Sequence, residues 1–265
     1  MNSLPFSPGV GAHAVTVSRV ADNQWHAVEN DLVVGRGHAS RRLDGRIFVS
    51  VDSWRADVFD RLVAAILADQ VMPLYTVVDE ADRALLASWE RAGFATWRRE
   101  LEFVVPAGEG FAAAGPSGVA FVAGAEVVEG LPRELDQSIR AEVEAAAGWA
   151  TMPAEVLPWQ GGTRPLDPSR YTVALRDGRY VGLVRVATMT RRPRIGLIAV
   201  LAADQRQGIA RALLGQVLNS LHRAGFEAAT AEIDEGNTAA LALFEGLGAR
   251  RTGSTVELVS RPGKV

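Results

Sequence analysis

The stretch GLIAVLAADQRQGIARALL, residues 196–214, contains the transition that decides the fold. Its first six residues form a nearly continuous apolar run, which is typical of a strand buried on both faces of a sheet. From Ile209 onward the apolar residues recur with helical spacing, and Gly208 stands directly before them. A buried strand that turns into a helix leaves unpaired backbone N–H groups at the helix start, where the helix dipole favours negative charge. The pattern predicts an anion site, although an ordinary helix start with glycine for close packing explains the same residues.

The side chains of this turn suit a phosphate ligand. Gly208 lets an anion approach the backbone where a Cβ atom would block it, and Ile209 is expected to anchor the turn in the core. Arg206 and Arg211 flank the turn and can meet the outer charges of a polyphosphate.

Composition limits the possible partners. The chain has 265 residues, 48% of them hydrophobic, so it can bury one large core or two smaller ones. Its 28 basic and 31 acidic side chains give a net charge of −3, which offers no general attraction for nucleic acid or an anionic membrane. No signal-peptide pattern and no apolar run of about 18 residues occurs. We expect a cytoplasmic monomer or homodimer without nucleic-acid or membrane partners.

Cysteine and histidine usage limits the chemistry. The chain contains no cysteine, which excludes disulfides, thiolate catalysis and cysteine-based metal sites. The four histidines stand far apart without ligand spacing, so no metal is expected.

The chain divides near its middle and repeats itself. The stretch PAGEGFAAAGPSG, residues 106–118, has the composition of a linker, which predicts domains at 1–105 and 119–265. Without a gap, residues 79–104 (DEADRALLASWERAGFATWRRELEFV) align with residues 234–259 (DEGNTAALALFEGLGARRTGSTVELV), with nine identities that include Gly93 with Gly248. We interpret the chain as two copies of one fold unit.

The C-terminal copy can be assigned element by element. We expect strands near 119–124, 171–176, 179–189, 194–201, 227–233 and 254–260, and helices near 131–148, 208–224 and 237–248. Asp177-Gly178 predicts a tight hairpin between the second and third strands. The sum is an α/β (α+β) fold: a mixed, mostly antiparallel sheet flanked by helices.

Two segments of this copy resemble the GNAT acetyltransferases. QRQGIA, residues 205–210, is similar to that family's acetyl-CoA signature Q/R-x-x-G-x-G/A, and it lies between the expected strand and helix. NTAALALFEGLGA, residues 237–249, resembles the family's N-x-x-A-x-x-L-Y-x-x-x-G-F segment. The resemblance covers roughly residues 118–260, and the repeat makes the whole chain look like a tandem GNAT protein with a degenerate N-terminal copy.

The resemblance implies a binding site for acetyl-CoA as co-substrate. The backbone of the buried strand would pair with the pantetheine arm, the turn would hold the pyrophosphate, and Asn237 would hydrogen-bond near the thioester. Asn237 also suits a helix N-cap. The implied cofactor-binding residues are Ile198, Ala199, Val200, Gln205, Arg206, Gln207, Gly208, Ile209, Ala210, Arg211, Asn237 and Phe244.

The catalytic residues depart from the family pattern. The tyrosine that usually acts as the acid is replaced by Phe244, which has no proton to donate. Glu232 resembles the general base of a subgroup that acetylates ribosomal-protein N-termini, although a solvated strand residue explains it equally. The expected function is acetyl transfer to the amine of a small molecule or peptide N-terminus. The alternative is a non-catalytic acetyl-CoA-binding or protein-interaction module.

The N-terminal copy departs further from the motif. In the repeat alignment, Ser53-Trp54-Arg55 replaces the small residues around Gly208, and Asp82 replaces Asn237. We expect that this copy binds no coenzyme A. WHAVENDLVVG and GRIFVSV are its only strand-like runs before Trp54. Trp149, Met152 and Trp159 follow the first helix of the C-terminal copy and could shape an acceptor pocket or pack in the core.

Overall fold

A computed structural model describes residues 14–42, 45–111, 115–124, 131–146, 167–187 and 192–261. The chain forms two compact units. Unit 1 contains Met1–Val77, Arg83–Ala95 and Leu258–Val265, and unit 2 contains Val78–Asp82 and Thr96–Glu257. Trp149, Met152 and Trp159 lie outside the described residues.

Unit 1 is a sheet with helices packed on it. Its strands are β1 (Thr16–Ala21), β2 (Gln24–Glu29), β3 (Leu32–Arg41), β4 (Ile47–Asp52) and β5 (Leu74–Asp79), and they lie in that order. Its helices are α1 (Ala56–Asp69) and α2 (Arg83–Arg91). Apolar residues of α1 recur every three or four positions, so one face of the helix is buried, and Phe59 and Phe94 pack edge-to-face on Trp89.

Unit 2 carries the elements expected for the C-terminal copy. Its strands are β6 (Ala95–Pro106), β7 (Val119–Ala123), β8 (Tyr171–Arg176), β9 (Arg179–Ala187), β10 (Arg194–Val200), β11 (Ala228–Asp234) and β12 (Arg250–Ser260). Its helices are α3 (Leu131–Ala146), α4 (Ile209–Arg223) and α5 (Thr238–Glu245). The strand order is β12-β6-β11-β10-β9-β8-β7. One face packs on α4 and the other on α3.

The predicted fold class is confirmed. Every expected strand and helix of the C-terminal copy is present, and β8 and β9 are joined at Asp177 and Gly178, which both have positive φ as a tight hairpin requires. Each unit contains antiparallel pairs and one short parallel pair, β4 with β5 and β10 with β11.

The N-terminal half has more strands than its sequence suggests. WHAVENDLVVG forms most of a hairpin, β2 with β3, and β1 precedes it. β1 escapes sequence reading because five of its six residues are exposed, so it shows no apolar pattern.

The compact units do not follow the division at residues 106–118. β6 precedes that stretch, yet it pairs with β11 from Ala228↔Pro106 to Asp234↔Glu100. Within the stretch, Glu109–Phe111 forms a 3-10 turn against α4, where a Cβ on Gly215 would lie 2.2 Å from the carbonyl oxygen of Phe111. Pairing between distant strands leaves no mark in local composition, so local composition does not reveal that β6 pairs with β11.

None of the helices in the described ranges is both long enough and apolar enough to cross a membrane.

Candidate functional site

Strands β10 and β11 separate soon after they meet. Their parallel ladder contains two pairs, Arg194↔Thr230 and Ile195↔Ala231. On its other side, β10 stays paired with β9 as far as Val200. The edge of β10 that follows Ile195 is therefore open toward β11, and its backbone can pair with an extended ligand.

The turn after β10 presents the start of α4 to the same opening. Two of its residues are left-handed: Arg206 at φ 62° and Gly208 at φ 82°. Gly208 is the N-cap of α4, and it has no side chain with which to cap the helix. The first backbone N–H groups of α4 therefore remain available to a ligand.

Three interactions hold this turn in shape. The Gln205 side chain donates to the carbonyl oxygen of Val200 at 3.0 Å. The backbone N–H of Ala202 donates to Glu142 on α3 at 2.9 Å. Asp204, whose side chain is 9% exposed, forms a 2.6 Å ion pair with Arg176 of β8. The turn is thus tied to two other elements of unit 2.

A cavity of about 700 Å³ joins the open edge of β10 to the start of α4. Ten of the twelve predicted cofactor residues line it: Ile198, Ala199, Val200, Gln205, Arg206, Gly208, Ile209, Ala210, Arg211 and Asn237. Leu197, α3 and the first turns of α5 complete the wall.

The charges at the mouth of the cavity suit a polyanion. Its acidic side chains are engaged: Asp204 with Arg176, Asp136 with Arg140 at 2.6 Å, and Glu142 with a backbone amide. Across the described ranges, no carboxylate lies within 4.0 Å of Arg206 or Arg211. Two guanidinium groups and a helix N-terminus without an opposing carboxylate fit a pyrophosphate.

Two of the twelve predicted cofactor residues, Gln207 and Phe244, do not line the cavity. Gln207 is exposed and lies outside the cavity wall. Phe244 is 2% exposed and packs in the core under α4, because its aromatic ring lies on the apolar face of α5. Asn237 is on the wall, and its Oδ1 accepts from the Ala240 N–H at 3.0 Å, which makes it the N-cap of α5. Both interpretations of Asn237 are compatible, since the cap uses its Oδ1 as an acceptor and the residue also lines the cavity.

Glu232 lies beside the cavity rather than in its wall. It is the first residue of β11 after the last β10–β11 pair, so it stands where the strands separate. Its carboxylate accepts a 2.6 Å hydrogen bond from Arg194, and its side chain is 36% exposed. Glu102 of β6 is directly opposite on the neighbouring strand. Sequence reasoning missed Glu102, Glu142 and Arg176, because each comes near the site only through tertiary pairing.

In the repeat alignment, the turn before α4 corresponds to the turn between β4 and α1. This turn of unit 1 is short, and its charged side chain is paired with carboxylates of the same unit. Only Ser53, Trp54 and Arg55 separate β4 from α1. Arg55 donates to Glu29 and to Asp57, each at 2.7 Å. Asp57 lies in the first turn of α1, where its carboxylate opposes an anionic ligand.

Comparison with known proteins agrees with this geometry. Residues 138–249 match the model of the acetyltransferase (GNAT) family. No curated protein matches the chain in sequence.

Several solved structures share the fold. A GCN5-related N-acetyltransferase from Sphaerobacter thermophilus has a TM-score of 0.65 at 15% identity and covers 93% of this chain and 83% of its own. A tandem GNAT protein from the clavulanic acid biosynthesis pathway has 0.62 at 14%, covering 91% and 83%. A GCN5-related N-acetyltransferase from Kribbella flavida has 0.60 at 14%, covering 95% and 91%. Residues 138–249 are thus similar in sequence to the acetyltransferase (GNAT) family, and the fold of the chain is similar to that of GCN5-related N-acetyltransferases of known structure.

Proposed function

We propose that unit 2 binds acetyl-CoA in this cavity and transfers the acetyl group to the amine of an acceptor, a small molecule or a peptide N-terminus. The observation that carries the proposal is that one cavity of about 700 Å³ contains both the open edge of β10 and the start of α4. The start of α4 has no side-chain cap and is flanked by Arg206 and Arg211.

Different parts of the cavity bind different parts of the coenzyme. The amides at the start of α4, with Arg206 and Arg211, bind the pyrophosphate, and Gly208 allows its close approach. The open backbone of Ile198–Val200 pairs with the amides of the pantetheine arm. Asn237 donates from Nδ2 toward the thioester end.

The bound coenzyme supplies an activated acyl thioester. The acceptor amine must be neutral to attack it, and Glu232 takes the ammonium proton directly or through a water molecule. Arg194 donates to Oε2 of Glu232, so Oε1 remains to accept the proton. Phe244 has no proton to donate and lies in the core, so the thiolate leaves unprotonated or takes a proton from water.

Unit 1 is a degenerate copy of the same fold unit. The order β2-β3-β4-α1-β5-α2-β6, which begins in unit 1 and ends with the first strand of unit 2, repeats the order β8-β9-β10-α4-β11-α5-β12, and this supports the assignment. The neutralised turn around Arg55 supports the further proposal that unit 1 binds no coenzyme A.

Calorimetric titration with acetyl-CoA tests the binding site. We expect one site per chain, and a loss of affinity of tenfold or more in Gly208→Ala, because the new Cβ crowds the phosphate and strains a left-handed residue. Gly225→Ala is the matched control: Gly225 also has positive φ, 86°, at the other end of α4. Both variants should lose roughly 1–2 kcal/mol of stability. Equal affinities in the two variants would contradict the proposed site.

Release of free thiol in the presence of acceptor amines tests the catalytic role of Glu232. Glu232→Gln should lower kcat/KM by about 100-fold or more near neutral pH, since a general base typically contributes that much. Glu227→Gln, an exposed carboxylate just before the same strand, should leave turnover unchanged. Unchanged turnover in Glu232→Gln across the pH range would refute the assignment.

A further inference from the structure

Arg185 of β9 lies across the point where β10 leaves β11. Gly196 is the extra residue of a bulge in the β9–β10 ladder, between Ile195↔Val186 and Leu197↔Arg185. A Cβ on Gly196 would lie 3.4 Å from Nη2 and 3.7 Å from Nε of Arg185. The guanidinium therefore occupies the space that the missing side chain leaves free.

Arg185 faces the same side of the sheet as Glu232. Ala187, two residues along β9, is paired with Arg194, and Arg194 contacts Glu232 at 2.6 Å. Side chains two residues apart on a strand share a face, which places Arg185 with Arg194 and Glu232. Gly196 and Glu232 each follow the last β10–β11 pair, so they occupy corresponding positions on neighbouring strands.

Among the residues that the structure describes, Arg185 is not paired with a carboxylate. Its guanidinium lies near the phenol of Tyr171 and opposes the increase in the pKa of that group, but the phenol carries no negative charge below its pKa. Within the part of the chain that the structure describes, no Asp or Glu lies within 4.0 Å of it. The nearby cation Arg194 is paired with Glu232, and Arg140 is paired with Asp136. Arg185 is thus free to bind an anionic group.

We propose that Arg185 binds a carboxylate of the acceptor while Glu232 receives its amine, so that the acceptor is an amino acid. This rests on the proposed acetyl transfer and narrows its acceptor class. The guanidinium fork matches a carboxylate in geometry and charge. β10 lies between β9 and β11, so the two backbones are about 10 Å apart. The guanidinium of Arg185 extends to Gly196 of β10, so one small zwitterion can reach both groups.

A carboxylate suits this place better than a phosphate. Glu232 and Glu102 stand opposite each other on β11 and β6, next to the position that Arg185 faces. A doubly charged phosphate would be repelled by these two carboxylates. An amino acid carries no net charge and presents its ammonium group to them.

The test uses matched pairs of acceptors: an amino acid and the amine that lacks its carboxylate, such as phenylalanine with phenethylamine and alanine with ethylamine. The wild-type protein should show a higher kcat/KM for the carboxylated member of each pair. Arg185→Gln should lower that kcat/KM by about 10- to 100-fold, mainly through KM, because one charge-assisted pair is lost. The values for the plain amines and the affinity for acetyl-CoA should not change.

Two further variants separate binding from folding. Arg185→Lys keeps the charge and should restore part of the preference, and Arg179→Gln, an exposed arginine on the same strand, should change nothing. Equal losses for both members of a pair in Arg185→Gln would overturn the proposal. If the wild-type protein binds acetyl-CoA but does not prefer carboxylated acceptors, the role of Arg185 is wrong and the proposed acetyl transfer still stands. If the protein does not bind acetyl-CoA, both proposals are wrong.

Discussion

At the scale of single residues, Tyr171 shows how burial changes a titratable group. Burial raises the pKa of Tyr171 above its usual value, and the neighbouring guanidinium of Arg185 offsets part of that increase. The alkaline titration of this protein is simple, because the chain contains no cysteine, three tyrosines and a single lysine, Lys264. The behaviour of one tyrosine can therefore be measured without many overlapping groups.

Tyr171 predicts a loss of stability at alkaline pH. Its pKa is higher in the folded than in the unfolded chain, so the favourable contribution is complete below about pH 10 and is lost as pH rises through the folded pKa. We expect the free energy of unfolding of the wild type to fall more steeply above pH 10 than that of Tyr171→Phe. Denaturant unfolding of both proteins at pH 8 and pH 11 measures the difference. Identical pH dependences would contradict the assignment, and Tyr75→Phe serves as the control.

At the scale of elements, the turn between β10 and α4 owes its shape to partners outside it. The Arg176–Asp204 ion pair links it to β8, and Glu142 links it to α3. An uncapped helix start binds an anion well only if its amides are already held in position, since ordering them on binding costs free energy. These links therefore connect the packing of unit 2 to the affinity of the proposed site.

Breaking the Arg176–Asp204 pair should weaken both folding and ligand binding. Arg176→Met leaves the buried carboxylate of Asp204 without its cation, which should cost roughly 2–4 kcal/mol of stability. We expect a weaker affinity for acetyl-CoA as well, and partial recovery of stability in Arg176→Met/Asp204→Asn. Denaturant unfolding and calorimetry measure the two effects. Arg170→Met, which breaks an exposed pair with Asp167, should change neither by more than about 0.5 kcal/mol; an equal effect there would refute a specific role for Arg176.

At the scale of the whole molecule, the two units share an order of strands and helices but differ at the start of one helix, α4 in unit 2 and α1 in unit 1. Unit 2 leaves the start of α4 open, whereas unit 1 places Arg55 between Glu29 and Asp57 at the start of α1. The two turns also differ in length. Residues 53–55 connect β4 to α1, whereas the longer stretch 201–208 connects β10 to α4.

The chain should therefore bind a single acetyl-CoA. Calorimetry is expected to give a stoichiometry of one per chain, and Gly208→Ala should weaken that one event without revealing a second. Asp57→Asn should leave the stoichiometry at one, since the short turn still lacks the amides of a longer one. Two acetyl-CoA molecules per chain would contradict the proposal for unit 1.

Local sequence was sufficient for most elements of unit 2. The apolar run before Gly208, the helical spacing after it and the Asp177-Gly178 turn each depend on neighbours along the chain, and each prediction is confirmed. Ten of the twelve candidate residues line the cavity, and nine of these ten lie in one short stretch, residues 198–211, whose strand, turn and helix start are local features of the sequence.

What the sequence by itself determined is the order and type of the elements, because backbone propensity, apolar periodicity and turn chemistry act over a few residues. Only the tertiary structure decided that β6 lies beside β11, that Glu102 is opposite Glu232, that Arg176 holds the turn through Asp204, and that Phe244 is buried. Each of these depends on which strands pair and which faces pack. Such choices minimise the free energy of the whole chain, and no short stretch of sequence contains them.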